Sequence, residues 1–338
     1  IYAENADKGF LPSVGRLQHL ALPPHVAFER GQGAGSGEPA AVRVDGGVRA
    51  GDAITPFYDP MIAKLIVWGA DRDQARARMV QALEQTEIVG VHTNVAFLAR
   101  LMNDDAFAAA DLDTGLIERQ RASLLPKAGA VPPHAVALAV ASLLAARAQA
   151  GDADPWSVAD RWRVGGATPE AFTFLDNGRE RRVWHVGGTA GLLRIEDDEQ
   201  PLAWTSLASS AAPAGGAERR RLRLQYLGRM FEGSVVRDGD TLFVFAGAQR
   251  YLLQLPDPQA AAHHGAQQGG QLVAPMPGKI IAVNVKAGDS VRSGQELIVM
   301  EAMKMEHHIV APADGRIEAV FFAAGEQVND GADLLRLA

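Results

Sequence analysis

At 338 residues and 47% hydrophobic content the chain is long enough for two or three domains, each with its own core. Its 40 acidic against 33 basic residues give a formal net charge of -7, so it has no basic field for nucleic acid or an anionic membrane, and both partner classes are set aside. The absence of cysteine excludes disulfides and thiolate metal sites and fits a reducing cytoplasm, while the heavy use of Ala, Gly and Arg suggests a high-GC bacterial source.

The opening "IYAENADKGF" has no initiator Met and no basic-then-apolar leader pattern, and reads as the interior of a longer protein. Further on, "DPMIAKLIVWG" (59–69) is a buried-strand candidate. In "DRDQARARMVQALEQ", Asp71 is placed to cap a helix whose Ala75, Met79, Ala82 and Leu83 share one face. "HTNVAFLARLM" predicts a second helix, capped by Thr93 or Asn94, with Val95, Leu98 and Leu101 or Met102 on one side. The glycine-rich "GQGAGSGEP" (31–39) lacks the Lys-Ser/Thr of a phosphate loop and reads as surface.

An apolar helix over about 133–149 contains "AVALAVASLLAA" (135–146), too short to span a bilayer, which needs roughly 20 residues. From 170 to 256 short alternating segments follow, with Asp176-Asn177-Gly178 and Asp238-Gly239-Asp240 as hairpin turns. Leu222, Leu224 and Tyr226 alternate with Arg223 and Gln225, the period of a half-buried strand, and the segment reads as a small antiparallel barrel beside the helix. "PDPQAAAHHGAQQGGQ" (256–271) has the composition of a tether; its His263–His264 pair lacks companion ligands, and no metal site is assigned.

The last section is a duplication. Residues 272–299 and 309–336 align without a gap at an offset of 37, pairing Val273-Ala274-Pro275 with Val310-Ala311-Pro312 and Gly278, Gly288 and Gly294 with Gly315, Gly325 and Gly331. Two such copies predict a flattened barrel with an approximate two-fold axis. Lys304 falls in the segment joining them, at the tip of a hairpin between "ELIVMEA" and "MEHHIV". It is either a solvated tip lysine or a modified one; Met303 and Met305 are costly to expose, and an amine on a flexible stem suits amide formation with a carboxylic acid cofactor.

"EAMKMEH" (301–307), with "APMPGKI" (274–280) as the facing hairpin, resembles the biotinylation site of biotin carboxyl carrier domains. The related lipoyl domains usually have Asp before and Ala after the lysine, so the two methionines favour biotin. The resemblance implies biotin on Lys304, with Ala302, Met303 and Met305 recognised by a biotin protein ligase, and Glu301, Glu306 and His307 as solvated strand residues. "IYAENADKGFLPSVG", "ITPFYDPMIAKLIVWG", "DRDQARARM" and "GVHTNVAFL" resemble the C-terminal part of biotin carboxylase. By that likeness Tyr58 and Asp59 border the biotin pocket or start the strand, and Arg43 lies near the carboxylase dimer interface or on a solvated strand. The family's ATP-grasp portion, which uses ATP and Mg2+, and its enolate-stabilising arginine lie upstream of the residue matching Ile1, so this stretch alone is expected to be inactive.

The middle section resembles the β-subunit-binding domain of acyl-CoA carboxylase α subunits. "DPWSVADRWRVGG" is most like the methylcrotonyl-CoA carboxylase kind, with propionyl-CoA and geranyl-CoA carboxylases as competitors and Trp156 and Trp162 as core or contact residues. The expected fold is α+β and multidomain: carboxylase C-terminal part (1–122), helix plus antiparallel barrel (123–257), linker (258–270) and a carrier of duplicated halves (271–338). The resemblance implies a bacterial cytoplasmic hetero-oligomer, α6β6, with a carboxyltransferase β subunit, acting on 3-methylcrotonyl-CoA in leucine degradation. A non-catalytic lipoyl or biotinyl carrier scaffold is the alternative.

Overall fold

The structure is a computed structural model and describes residues 1–27, 41–127, 129–149, 168–210, 217–256, 271–302 and 305–337. The linker 258–270 with His263 and His264, the glycine-rich 31–39 segment, and Trp156 and Trp162 lie outside the described residues. Three β-rich units follow one another, and among the described residues no helix is long and apolar enough to cross a membrane.

In the first unit a three-stranded sheet joins β1 (Val26–Ala27), β2 (Val42–Gly46) and β3 (Ala63–Val67), with β1–β2 parallel and β2–β3 antiparallel. Helices α1 (Arg72–Glu84) and α2 (Val95–Asn103) close a core around Leu17, Val44, Ile62, Leu83 and Ile88. Asp71 caps α1 as its type predicts, its side chain accepting from Gln74 N at 2.7 Å. Asn94 stands at the cap position of α2 but makes no side-chain cap bond. Its Oδ1 accepts from Tyr2 N at 3.0 Å instead, tying the helix start to the N-terminal segment. The buried face of α2 also differs from the expected one: Val95, Phe97 and Ala99 are buried, Leu98, Leu101 and Met102 only half so. Phe97 turns inward to meet Phe10 edge-on, centroids 4.9 Å apart.

The second unit corrects the expected placement of its helix. α3 (Pro133–Gln149) does not lie beside the barrel but within it: Ala135 through Ala141 are all fully buried and packed against Phe174, Val183, Leu193, Leu222, Leu224 and Val244 from the strands around it. A helix with no polar face must be enclosed on every side, and its many alanines keep it thin enough for an eight-stranded lumen that side chains alone would otherwise fill.

The enclosing strands are β4 (Glu170–Asp176), β5 (Arg179–Gly187), β6 (Ala190–Ile195), β7 (Asp198–Ser210), β8 (Glu218–Tyr226), β9 (Arg229–Asp238), β10 (Thr241–Ala246) and β11 (Gln249–Gln254). They pair antiparallel in chain order, and Leu175 opposite Gln254 closes the barrel. The Asn177-Gly178 turn has φ of 49° and 79°, the left-handed pair that a tight hairpin requires. Gly233 is required by proximity: a Cβ there would lie 2.5 Å from Phe245 O and 2.6 Å from Leu138 Cδ1 on the central helix.

The third unit holds β12 (Gln271–Val273), β13 (Gly278–Val283), β14 (Ser290–Val291), β15 (Glu296–Ala302), β16 (Met305–Val310), β17 (Gly315–Val320), β18 (Gln327–Val328) and β19 (Asp333–Leu337). One sheet has the order β12-β19-β17-β14 and the other β16-β15-β13-β18. Exchanging the two repeat copies turns either order into the other, so the duplication is a structural two-fold. Its turns repeat in detail: Gly288 and Gly325 both have φ of 97°, and each donates its N–H at 2.7 Å, to Ile317 O and Ile280 O respectively.

The first and second units meet across buried charge. Glu87, only 5% exposed, receives Arg219 Nε and Nη2 at 2.6 and 2.7 Å and lies 3.0 Å from His19 Nε2. Arg250 donates to the Val91 and Ile88 carbonyls at 2.8 and 3.3 Å. Val89, Ala217, Val236 and Phe245 form an apolar cluster across the same seam.

Candidate functional site

The β15–β16 hairpin positions the site. Its strands keep register from Ile298 opposite Ile309 to Ala302 opposite Met305, so two residues, Met303 and Lys304, connect them. Met303 and Lys304 lie outside the described residues, as does the side chain of Met305, while Ala302 is buried at the end of its strand. The strand leading to the tip is gripped from the facing hairpin: a Cβ on Gly278 would lie 2.7 Å from both Glu301 O and Met300 Cε, so only glycine lets the "PMPG" turn cross so near.

Glu301 and Glu306 are exposed, as strand residues pointing to water should be. His307 departs from that expectation. It is half-buried on the face shared with Ile309, opposite the fully buried Met300, and its Nε2 is enclosed with no hydrogen-bond partner among the described residues. Burial, with His308 alongside, pushes its proton affinity below the ordinary imidazole value.

Beside the tip opens a cavity of about 470 Å3, walled by Pro56 and Phe57 of the first unit and by Lys279, Glu301, Ala302, Gln327 and Asn329 of the third. Tyr58 and Asp59 belong to the same loop. Tyr58 is 75% exposed, and Asp59 Oδ1 accepts from Met61 N at 2.8 Å, a local turn bond that shapes the loop's exit. The loop thus reaches the end of β15 through Pro56 and Phe57, while Tyr58 and Asp59 are not among the residues that wall the cavity. Arg43 is not part of this wall. It sits on β2 opposite Val26 and Ile66 and holds Asp45 through two bonds of 2.8 and 2.7 Å.

The strands on either side of the two-residue connection are held in register, and the cavity beside the end of β15 has both apolar and polar walls. Phe57, Gln327 and Asn329 were not singled out from the sequence. The signal available was the adjacent aromatic pair in "TPFYDP", too apolar for an ordinary exposed loop, and the 37-residue offset that places 327–329 opposite 290–292.

Three family models match in succession: Biotin carboxylase C-terminal domain over residues 1–119, Methylcrotonyl-CoA carboxylase, alpha-subunit, BT domain over 132–258, and Biotin-requiring enzyme over 270–337. The chain is 34% identical over 319 residues to the mitochondrial methylcrotonoyl-CoA carboxylase subunit alpha of Dictyostelium discoideum, covering 91% of this chain and 44% of that one. It is 30% identical over 336 residues to the mitochondrial propionyl-CoA carboxylase alpha chain of Caenorhabditis elegans, covering 91% and 43%. Among solved structures, the biotin carboxylase domain of Hydrogenobacter thermophilus 2-oxoglutarate carboxylase is similar over 36% of this chain and 24% of its own, at 33% identity and a TM-score of 0.32. The chain therefore spans less than half the length of the curated relatives it matches. With a biotin carboxylase C-terminal domain, a BT domain and a biotin-requiring domain following one another, the chain belongs to the biotin-dependent carboxylases, and the curated relatives it matches are α subunits of that family.

Proposed function

We propose that this chain is the biotin-bearing part of an acyl-CoA carboxylase α subunit, with Lys304 as the attachment residue and Ala302, Met303 and Met305 as the features a biotin protein ligase reads. The observation that supports this most is the hairpin register, which ends at Ala302 opposite Met305 and leaves Lys304 in a two-residue connection. Bound there as an amide, biotin supplies the group that accepts carbon dioxide from bicarbonate, at the cost of ATP with Mg2+, and yields it to an acyl-CoA. The chain's own residues hold and aim that group. The two repeat copies stiffen the hairpin, Gly278 lets the facing turn brace it, and the 258–270 linker supplies reach, making delivery intramolecular at an effective concentration of order mM.

The division is 1–122 for the carboxylase part, 123–257 for subunit binding, 258–270 for the linker and 271–338 for the carrier. Tyr58 and Asp59 border the biotin pocket, and Arg43 lies near the carboxylase dimer interface. The partner is a carboxyltransferase β subunit in an α6β6 assembly of the bacterial cytoplasm, and the acyl-CoA is 3-methylcrotonyl-CoA, which places the enzyme in leucine degradation. The similarity to methylcrotonoyl-CoA carboxylase α subunits supports that choice over propionyl-CoA.

The test is Lys304→Arg in the full α subunit, which keeps the charge and removes the acylable amine. Streptavidin detection and carboxylation by the assembled enzyme should vanish while circular dichroism is unchanged. A Lys304→Arg protein that still binds streptavidin contradicts the assignment, and failure to co-purify with a carboxyltransferase chain contradicts the partner.

A further inference from the structure

We propose that the cleft between the first unit and the barrel is a binding site for a small zwitterion with an apolar side chain, an aliphatic α-amino acid, whose ammonium is taken at Glu84 and whose carboxylate is taken at Arg221. This site does not depend on the biotinyl reading of Lys304.

Three observations carry the proposal. The cleft is a cavity of about 360 Å3 with a wall from each unit, Leu22, Pro24 and Glu84 from the first and Arg221 and Phe245 from the barrel, and that volume lies within the roughly 300–1,000 Å3 of small-molecule sites. Its floor is fixed in advance. Glu87 and Ser234, which line it, are only 5% and 3% exposed, and the bidentate hold of Arg219 on Glu87 keeps the two walls together. A ligand entering a preset site has little protein ordering to offset.

The charges inside do not cancel. Arg219, Arg221 and Arg223 alternate along the outer face of β8, and two carboxylates answer the three of them. Glu87 takes Arg219, while Glu232 holds Arg223 at 2.6 Å and meets Arg221 only at 3.3 Å, so the middle arginine is the surplus cation. Its counterpart is Glu84, whose carboxylate makes no hydrogen bond or ion pair among the described residues. Glu84 is also the last residue of α1, whose final turn carries no basic side chain, so the helix carbonyls add to the negative charge there. An ammonium at that place is favoured by both. The remaining wall of Leu22, Pro24 and Phe245 is apolar, which makes the side chain of the ligand aliphatic.

The experiment is calorimetric titration of the intact chain with L-leucine, and with isocaproate and isoamylamine, which keep its side chain but lack the ammonium and the carboxylate respectively. Glu84→Gln and Arg221→Gln remove one charge each at nearly constant size. L-leucine should bind and slow hydrogen exchange at 84–87 and 219–221. Each variant, and each truncated ligand on the unaltered chain, should weaken binding about tenfold, as the loss of one charge-assisted hydrogen bond does. The truncated ligands keep the test decisive even where a substitution disturbs folding. No heat with L-leucine up to about 10 mM, or affinity that a folded variant or a truncated ligand leaves unchanged, overturns the proposal.

Discussion

The first unit makes two seams of opposite character. Toward the barrel it presents buried charge: Glu87 clasped by Arg219 and beside His19, with Arg250 spent on two carbonyls. Toward the third unit it presents Leu11, packed on that unit's core, and Pro56 and a mostly exposed Phe57 on the wall of an open cavity. A buried ion pair is expensive to separate because each half would be left desolvated, whereas an apolar contact with an open cavity separates at small cost. The difference predicts that the seam between the first unit and the barrel holds under conditions in which the seam with the third unit opens.

The largest expected effect comes from breaking the charged seam. Arg219→Ala leaves Glu87 buried without its main partner and should cost about 3–5 kcal/mol in urea unfolding at neutral pH; a loss within experimental error would mean the seam opens freely. Acid should reach the same pair. Burial pushes the Glu87 carboxyl up, but hydrogen bonds from Arg219 and His19 outweigh it and hold it at about 2, below its ordinary 4.5. A depressed carboxyl stabilises the fold above its unfolded value and loses that contribution as pH falls toward the folded one. Stability should therefore drop by about 3 kcal/mol between pH 4.5 and about 2, and Glu87→Gln should flatten that slope. Next comes Gly233→Ala, whose Cβ would meet Phe245 O and Leu138 Cδ1, with an expected cost of about 1–3 kcal/mol in thermal unfolding. The smallest is Phe57→Ala, expected to shift unfolding by less than about 0.5 kcal/mol because the ring is mostly in water. A large loss there would make the second seam structural too.

What was legible depended on the range of the interaction. The Asp71 cap, the Asn177-Gly178 turn and the alternation through Leu222, Leu224 and Tyr226 are set within a few residues, and they appear where the pattern puts them. The 37-residue repeat reaches further because each copy repeats the same turn glycines, so two sheets related by a two-fold follow from the string itself. The helix of 133–149 was visible as apolar on all sides, but that pattern states only that something encloses it; that the barrel wraps around it depends on pairing strands far apart in the chain. Glu87 and Arg219 are 132 residues apart, and no local period marks them as partners. Asn94 shows a second limit, since a good capping side chain was diverted to Tyr2 N by tertiary contact. At the site, the hairpin that joins the two repeat copies is local and was readable, whereas the Phe57 wall needs the third unit folded against the first.

The most direct test of the central claim is peptide mapping by mass spectrometry of the chain produced with a biotin protein ligase. The account predicts one biotinyl group, on the peptide containing Lys304, with Lys279 and Lys286 of the same domain unmodified. Biotin on another lysine, or a lipoyl group on Lys304, would contradict it.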